Sequence, residues 1–200
     1  MRSVLLVAML GSVASADVPP CAKERAHCFG IRLHVARKGD ELVVTQDWIA
    51  TMMGQANRHF AALDVGWELA SVDAIDEKFA RIATRKDRDA LAKLGLGKQV
   101  VDVFVTGRLD DIDVEGNVAL GVTWRAGDRK FIILGTDAWL RTLAHELGHF
   151  FGLPHSTYAI SIMNKAERKD PPLEERTFAD EEIAAMKPFL KTKTLAERAH

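Results

Sequence analysis

The stretch from His145 to His155, reading HELGHFFGLPH, constrains this chain more than any other. An α-helix completes a turn every 3.6 residues, so His145 and His149, four apart, leave one face about one turn apart. Both imidazoles can then reach a single cation. Glu146 is rotated off that line and suits a base acting on metal-bound water better than a third ligand. Gly152 allows a turn with φ > 0 that other residues resist. After that turn Leu153 and Pro154 bring His155 back toward the first two histidines. Three neutral imidazoles with a fourth position open describe a catalytic zinc site rather than a closed structural one. With uniform composition, HExxH alone arises by chance about once in 40 chains of this length, and Gly152 with His155 lowers that to about 1 in 10,000. A surface helix that merely carries histidines is the weaker reading.

The first sixteen residues read as a secretory signal. Arg2 is the basic start, Val4 to Leu10 a short apolar run, and Ala14-Ser15-Ala16 a cleavage site of the A-x-A type. The run is far shorter than the roughly 20 residues that span a bilayer, and no other stretch is longer. An exported chain without stable membrane insertion is expected, secreted or periplasmic, and monomeric. Residues 17–29 then form an N-terminal arm and residues 30–200 one domain, of a size that buries about 70% of its extended-chain surface. Lys and Arg number 27 against 28 Asp and Glu. There is no basic excess to indicate nucleic acid or an anionic membrane as partner. Cys21 and Cys28 are the two cysteines. In an exported protein their default state is a disulfide, and closing so short a loop stabilises by about 2–3 kcal/mol.

Hydrophobic periodicity places the elements. Ile31, Leu33 and Val35 alternate with Arg32, His34 and Ala36 as in a strand, with His34 on the solvent side. Leu42-Val43-Val44 extends or pairs with it. Thr45 caps a helix with Asp47 in its first turn and Ile49, Met52, Met53, Ala56, Phe60 and Leu63 on its apolar face. Residues 65–72 read as a second strand. Residues 75–98 are charged and helical in pattern, with a short helix over 87–94. Residues 100–105 are apolar enough for a central buried strand. The polar stretch 108–130 holds Asp110, Asp111, Asp113 and Glu115. Such a cluster can hold calcium, although the EF-hand pattern is absent and an acidic surface loop is the commoner reading. Residues 118–124 read as an edge strand and 131–134 as a last strand. Thr136 is placed as the cap of the histidine helix, whose buried faces comprise Trp139, Leu140, Leu143, Leu147, Phe150 and Phe151. A final helix starts near residues 177–180, with Pro188 as kink or stop and a frayed tail beyond.

Met163, in Ser161-Ile162-Met163-Asn164, lies eight residues past His155. With the HExxHxxGxxH pattern it resembles the metzincin zinc peptidases, which pair that motif with a methionine turn beneath the metal. Ser156 after the third histidine is most similar to the matrixin branch, whereas Asn164-Lys165-Ala166 departs from the bulky residue and proline of animal matrixin turns. The resemblance covers residues 30–195 in order of elements and 145–163 by specific motif. It implies an α+β fold: a twisted, mostly parallel sheet with one antiparallel edge strand, the zinc helix, the methionine turn and a C-terminal helix. It implies zinc on His145, His149 and His155, Glu146 as general base, Gly152 and Met163 in support, and a peptide laid along the edge strand. By the same resemblance, the position of Arg141 can reach the pocket beyond the metal, with a plain surface arginine as the equal alternative, and calcium has a precedent in loops like 108–130. No histidine stands there to hold a second, structural zinc. A metzincin cysteine can also occupy zinc's open position as a latency switch, but neither Cys21 nor Cys28 sits in the matrixin switch motif. Two readings compete with a peptidase. One is a zinc-binding protein that keeps the site without turnover, which has no need of Glu146. The other is a hydrolase of a non-peptide amide, against which the edge strand argues.

Overall fold

The computed structural model describes residues 21–198; the signal-like segment 1–16 lies outside them. The chain builds β1 (His27–Lys38), β2 (Glu41–Leu42), α1 (Gln46–Phe60), β3 (Val65–Ile75), β4 (Arg81–Ile82), α2 (Arg85–Ala92), β5 (Val101–Thr106), β6 (Arg108–Leu109), β7 (Gly121–Ala126), β8 (Arg129–Gly135), α3 (Thr142–Phe150) and α4 (Asp180–Leu190). β3, β1, β5 and β8 lie side by side and parallel, and β7 closes that row antiparallel to β8. β2 folds back on the end of β1, and β4 pairs with β6 in a separate ribbon. This is the expected α+β architecture. Among the described residues no helix is long and apolar enough to cross a membrane.

The pleat divides the core in two. Ile31, Leu33 and Val35 of β1, Val101, Val103 and Val105 of β5, and Ile132 and Leu134 of β8 face α1 and α3. The alternate residues Phe104, Phe131 and Ile133 face the other way, toward Leu91 of α2 and Phe79. β5 and β8 are therefore covered on both faces, which is why they read as unbroken apolar runs. α1 obeys its sequence pattern. Thr45 accepts the Trp48 N–H at 3.2 Å, and Ile49, Met52, Met53, Ala56 and Phe60 are buried.

Several expectations fail, for reasons that can be stated. Only 85–92 of the charged stretch is α-helical, with a single 3-10 turn at Glu77–Phe79, because β3 continues to Ile75 and β4 takes Arg81 and Ile82. His34 is buried, not on a solvent side, since β1 is flanked by β3 and β5 and stacked on Phe104. Its Nε2–H donates to Asp102 Oδ1 at 2.9 Å. Arg32 donates Nε to the same oxygen at 2.7 Å, and Gly97 N–H donates to Oδ2 at 2.7 Å. As far as Arg198 the tail is packed rather than frayed. Leu195 is buried, Ala196 N–H donates to Gln99 O and Arg198 N–H to Cys28 O, and the Arg198 guanidinium pairs with Glu68. Cys28 is disulfide-bonded to Cys21, with 5.9 Å between their Cα atoms.

Asp102, at 1% exposure, is the charge that the sheet depends on. Burial pushes its carboxyl upward, but the bonds from His34 and Arg32 and the Arg32 charge outweigh it and hold it below the usual range. Removing one member of a buried pair strands the other, so Asp102→Ala should cost about 3–5 kcal/mol in urea unfolding. A loss under about 1 kcal/mol would contradict this account. A depressed carboxylate adds stability above its unfolded pKa, about 3.9, and that stability is lost as pH falls through the folded value. The melting temperature of the wild type should accordingly drop faster below about pH 4 than that of Asp102→Asn.

Candidate metal centre

α3 starts at Thr142, not under a Thr136 cap. The Thr136 hydroxyl instead donates to Gly107 O at 2.6 Å and ties β8's exit to β5's. Trp139 and Leu140 precede the helix and stand 60% and 55% exposed, against expectation, while Leu143, Leu147, Phe150 and Phe151 are buried. The shorter helix still carries His145 and His149 one turn apart. Gly152, at φ 101°, turns the chain back, and Leu153 N–H closes on Gly148 O at 3.0 Å. His155 thereby returns to the other two.

The three rings meet as donors to a metal would. One nitrogen from each lies within 4.8 Å of the others. His145 Nδ1–H donates to Ile162 O at 2.8 Å, and His149 Nδ1–H to Leu153 O at 2.7 Å. Each bond fixes the tautomer and leaves Nε2 with its lone pair free. The Nε2 atoms of His149 and His155 face each other at 3.1 Å. Two ligands at 2.0–2.1 Å from a tetrahedral zinc stand about 3.3 Å apart, so the donor set fits that ion. Burial is the chief force that lowers His145 and His155 to about 4 and lowers His149 as well. All three rings are then neutral near pH 7, the form that binds metal.

Glu146 sits behind the rings at 4% exposure. Burial pushes its carboxyl up to about 7, against the pull of the Thr123 hydroxyl. Thr123 on β7 bonds it twice: its Oγ1 lies 3.0 Å from the carboxylate and 2.7 Å from Glu146 O. Thr123 was not singled out in the sequence, where it is one residue of an apolar run. β7 itself runs 121–126 rather than 118–124, because Ala119 N–H is spent on Leu109 O and Val118 bridges Asp110. Among the described residues its outer edge is unpaired.

Met163 is fully buried under α3. Gly148 makes room for it, since a Cβ there would lie 2.8 Å from the Met163 sulfur and 3.0 Å from Phe178. Sequence reading passed over Gly148 as one of the motif's variable positions. The methionine turn is held from behind. Ser161 Oγ donates to both Glu182 oxygens at 2.7 Å and accepts Met163 N–H at 2.8 Å, and Ala179 N–H donates to Glu182 Oε2 at 2.8 Å. α4 thus opens on Glu182's carboxylate rather than on a residue 177–180 hydroxyl.

Calcium finds no support in the acidic loop. Asp110 is taken by Arg81 and Arg108, Asp113 by Arg85, and Asp111 Oδ1 accepts the N–H of Asp113. Among the described residues the three histidines are the cluster that can close on an ion, since the other such group contains the disulfide cysteines with Glu68.

No protein-family model and no curated protein matches the sequence. Solved structures match through the fold. An archaemetzincin from Methanopyrus kandleri aligns over 86% of this chain and 100% of its own, at 16% identity and a TM-score of 0.57. Mature mirolysin from Tannerella forsythia, in complex with a cleaved peptide, aligns over 84% of this chain and 93% of its own, at 10% identity and a TM-score of 0.55. Metalloproteinase-II from Bacteroides fragilis aligns over 82% of this chain and 53% of its own, at 12% identity and a TM-score of 0.55. The fold is therefore that of metzincin-type metallopeptidases. These neighbours do not single out the matrixin branch.

Ile162 O aims His145, and Ser161 Oγ holds the Met163 N–H of the same peptide group. Losing such an outer partner costs about 10–100-fold in metal affinity. Ser161→Ala should weaken zinc binding by about that factor in competition with a chelator, whereas His149→Ala should abolish stoichiometric zinc altogether. Unchanged affinity in Ser161→Ala would show that the turn needs no support from α4.

Proposed function

We propose that this chain is an exported zinc-dependent endopeptidase, with His145, His149 and His155 as metal ligands and Glu146 as general base. One observation carries the reading: three lone-pair nitrogens converge beside a buried carboxylate, below a strand with a free edge. A metal held for structure alone has no use for Glu146. The likeness to archaemetzincin, mirolysin and metalloproteinase-II supports the reading through the shared fold.

Zinc, when bound, supplies Lewis acidity that lowers the pKa of its water and steadies negative charge on a carbonyl oxygen. The chain's own residues do the rest. The free edge of β7 offers N–H and C=O groups to an extended substrate backbone, and so sets one carbonyl near the histidines whatever its side chains. Glu146 takes a proton from the attacking water and returns it to the leaving amine. A carboxyl pushed up to about 7 exchanges a proton readily near neutral pH. Thr123 holds that carboxylate toward the cleft.

Export is part of the proposal. The signal-like start, residues 1–16, supports it, and so does the Cys21–Cys28 disulfide, a bond that persists in oxidising compartments. That bond leaves neither cysteine free to serve as a latency ligand. Ser156 and Met163 support placement near the matrixins.

The deciding measurement is zinc content together with casein cleavage, for wild type and Glu146→Ala side by side. We expect about one zinc per chain in both, and cleavage lost by at least about 100-fold in the variant and on chelation. Undiminished hydrolysis in Glu146→Ala would remove Glu146 as the base. One zinc without cleavage by either protein would favour a binding role.

A further inference from the structure

Beyond the histidines the cleft changes character. Its wall there is the start of α3 together with residues 164–176, and Arg141, Lys165, Arg168 and Arg176 all line it. Arg141 stands one turn before His145, whose N–H donates to Arg141 O at 2.9 Å. The two side chains start about 6 Å apart along the helix. Arg141 Nη1 donates to Leu173 O at 3.1 Å. Arg176, only 6% exposed, donates Nε to Pro171 O at 2.9 Å and Nη2 to Arg168 O at 2.6 Å. These bonds fix the guanidinium groups but bring no negative charge.

Elsewhere Arg32 meets Asp102, Arg198 meets Glu68, and Arg81 and Arg108 share Asp110, while Arg88, Arg129 and Lys130 rest on backbone carbonyls; this wall differs in gathering four cations with no carboxylate among their partners. Among the described residues no carboxylate lies within salt-bridge distance of Arg141, Lys165, Arg168 or Arg176. Glu167 lies on the same wall, is exposed, and pairs with none of them. The arginines also repel one another. Burial lowers the pKa of Arg141, and the charges of Arg176 and Arg168 lower it further.

Like charges gathered in a partly desolvated wall raise its energy until an anion enters. A carboxylate suits it best, because a guanidinium fork meets two carboxylate oxygens at once and such bonds are about twice as strong as neutral ones. The roles within the wall differ. Arg168 donates to the carbonyls of Ala159, Ser161, Asn164 and Ala166, so it shapes the loop. Arg141 spends one N–H on Leu173 and keeps the rest of its fork for a ligand. Trp139 and Leu173, 60% and 49% exposed, add apolar surface to the same cavity, enough to pack the stem of an acidic side chain.

We propose that this end of the cleft is a carboxylate subsite: it takes an acidic side chain of the substrate, or the substrate's C-terminal carboxylate, beside the bond presented at the histidines. The proposal rests on the peptidase reading for what occupies the cleft, but its test does not need turnover. The zinc-loaded full chain carrying Glu146→Ala is titrated calorimetrically at low salt with acetylated, amidated Ala/Leu peptides. One Glu is walked through the sequence and compared with Gln at each place. A second set, neutral in its side chains, compares free with amidated C-termini.

Glu at one position should bind about tenfold tighter than Gln, and the gain should disappear when Arg141→Gln is added and shrink as salt is raised. A gain confined to the free C-terminus supports the same subsite with the other source of carboxylate. Equal binding of Glu and Gln everywhere with no preference for a free terminus, or no measurable binding of any peptide, overturns the proposal. So does a gain that neither Arg141→Gln nor salt reduces. If wild type cleaves casein while the carboxylate gives no gain, the subsite fails alone. If the gain is present and nothing is cleaved, the peptidase reading fails and the subsite stands.

Discussion

His145 and His149 share a helix face, but the helix does not decide which nitrogen of each ring points into the cleft. Two carbonyl oxygens do, Ile162 O and Leu153 O. Both lie outside α3, on the chain that follows it. The centre is therefore a property of the helix and its exit together. Gly152 provides the exit, and the methionine turn provides the Ile162 carbonyl. A metal ligand oriented by such a bond loses little entropy on binding and is a better base. Behind Ile162 stand Ser161 and then Glu182, so the C-terminal helix is coupled to the first histidine through an unbroken series of hydrogen bonds. Ser161 and Glu182 are buried, and an unsatisfied member of such a network costs more than the bond is worth when made.

What could be read in the sequence was what repeats or what chemistry fixes by spacing. The i, i+4 histidines and the glycine turn needed only helix geometry and residue type, the methionine eight residues on was read from the family resemblance, and the three rings do converge. α1 was legible because it buries one periodic face, and the central strands because burial on both faces leaves an unbroken apolar run. His34 was misplaced because alternation was taken to mean a wet face; here that face of the sheet carries a second apolar layer, with Phe104 stacked on the His34 ring, so both faces are dry. It belongs instead to the Asp102 cluster, whose partners are some 70 residues apart in sequence and so leave no local signal.

Thr136 and the helix start show a different limit. A threonine before an apolar run satisfies every local rule for a cap. Here its hydroxyl finds Gly107 O instead, and residues 137–141 pass before α3 begins. That delay matters to the cleft. It leaves Trp139 exposed in the cleft lining and puts Arg141 at the helix boundary, one turn from the first ligand. At α4 a local and a tertiary partner combine, since the Glu182 carboxylate accepts Ala179 N–H three residues back and Ser161 from the methionine turn.

Thr123 joins the two halves of the site. It lies on β7, the strand whose free edge is available to a substrate backbone, and its hydroxyl touches both the carboxylate and the carbonyl of Glu146. Side chains alternate across a strand, so a shift of one residue in the pairing of β7 with β8 would turn Thr123 to the opposite face. The register that aligns Thr123 with Ile132 and Val122 with Ile133 thus sets two things at once. It determines which backbone groups the edge offers, and it keeps the base's oxygen hydrogen-bonded. A carboxylate this buried has few other ways to be oriented, because water does not reach it freely and the helix gives it no partner of its own. Binding geometry and base geometry are in this way parts of one strand pairing, and neither can drift without the other.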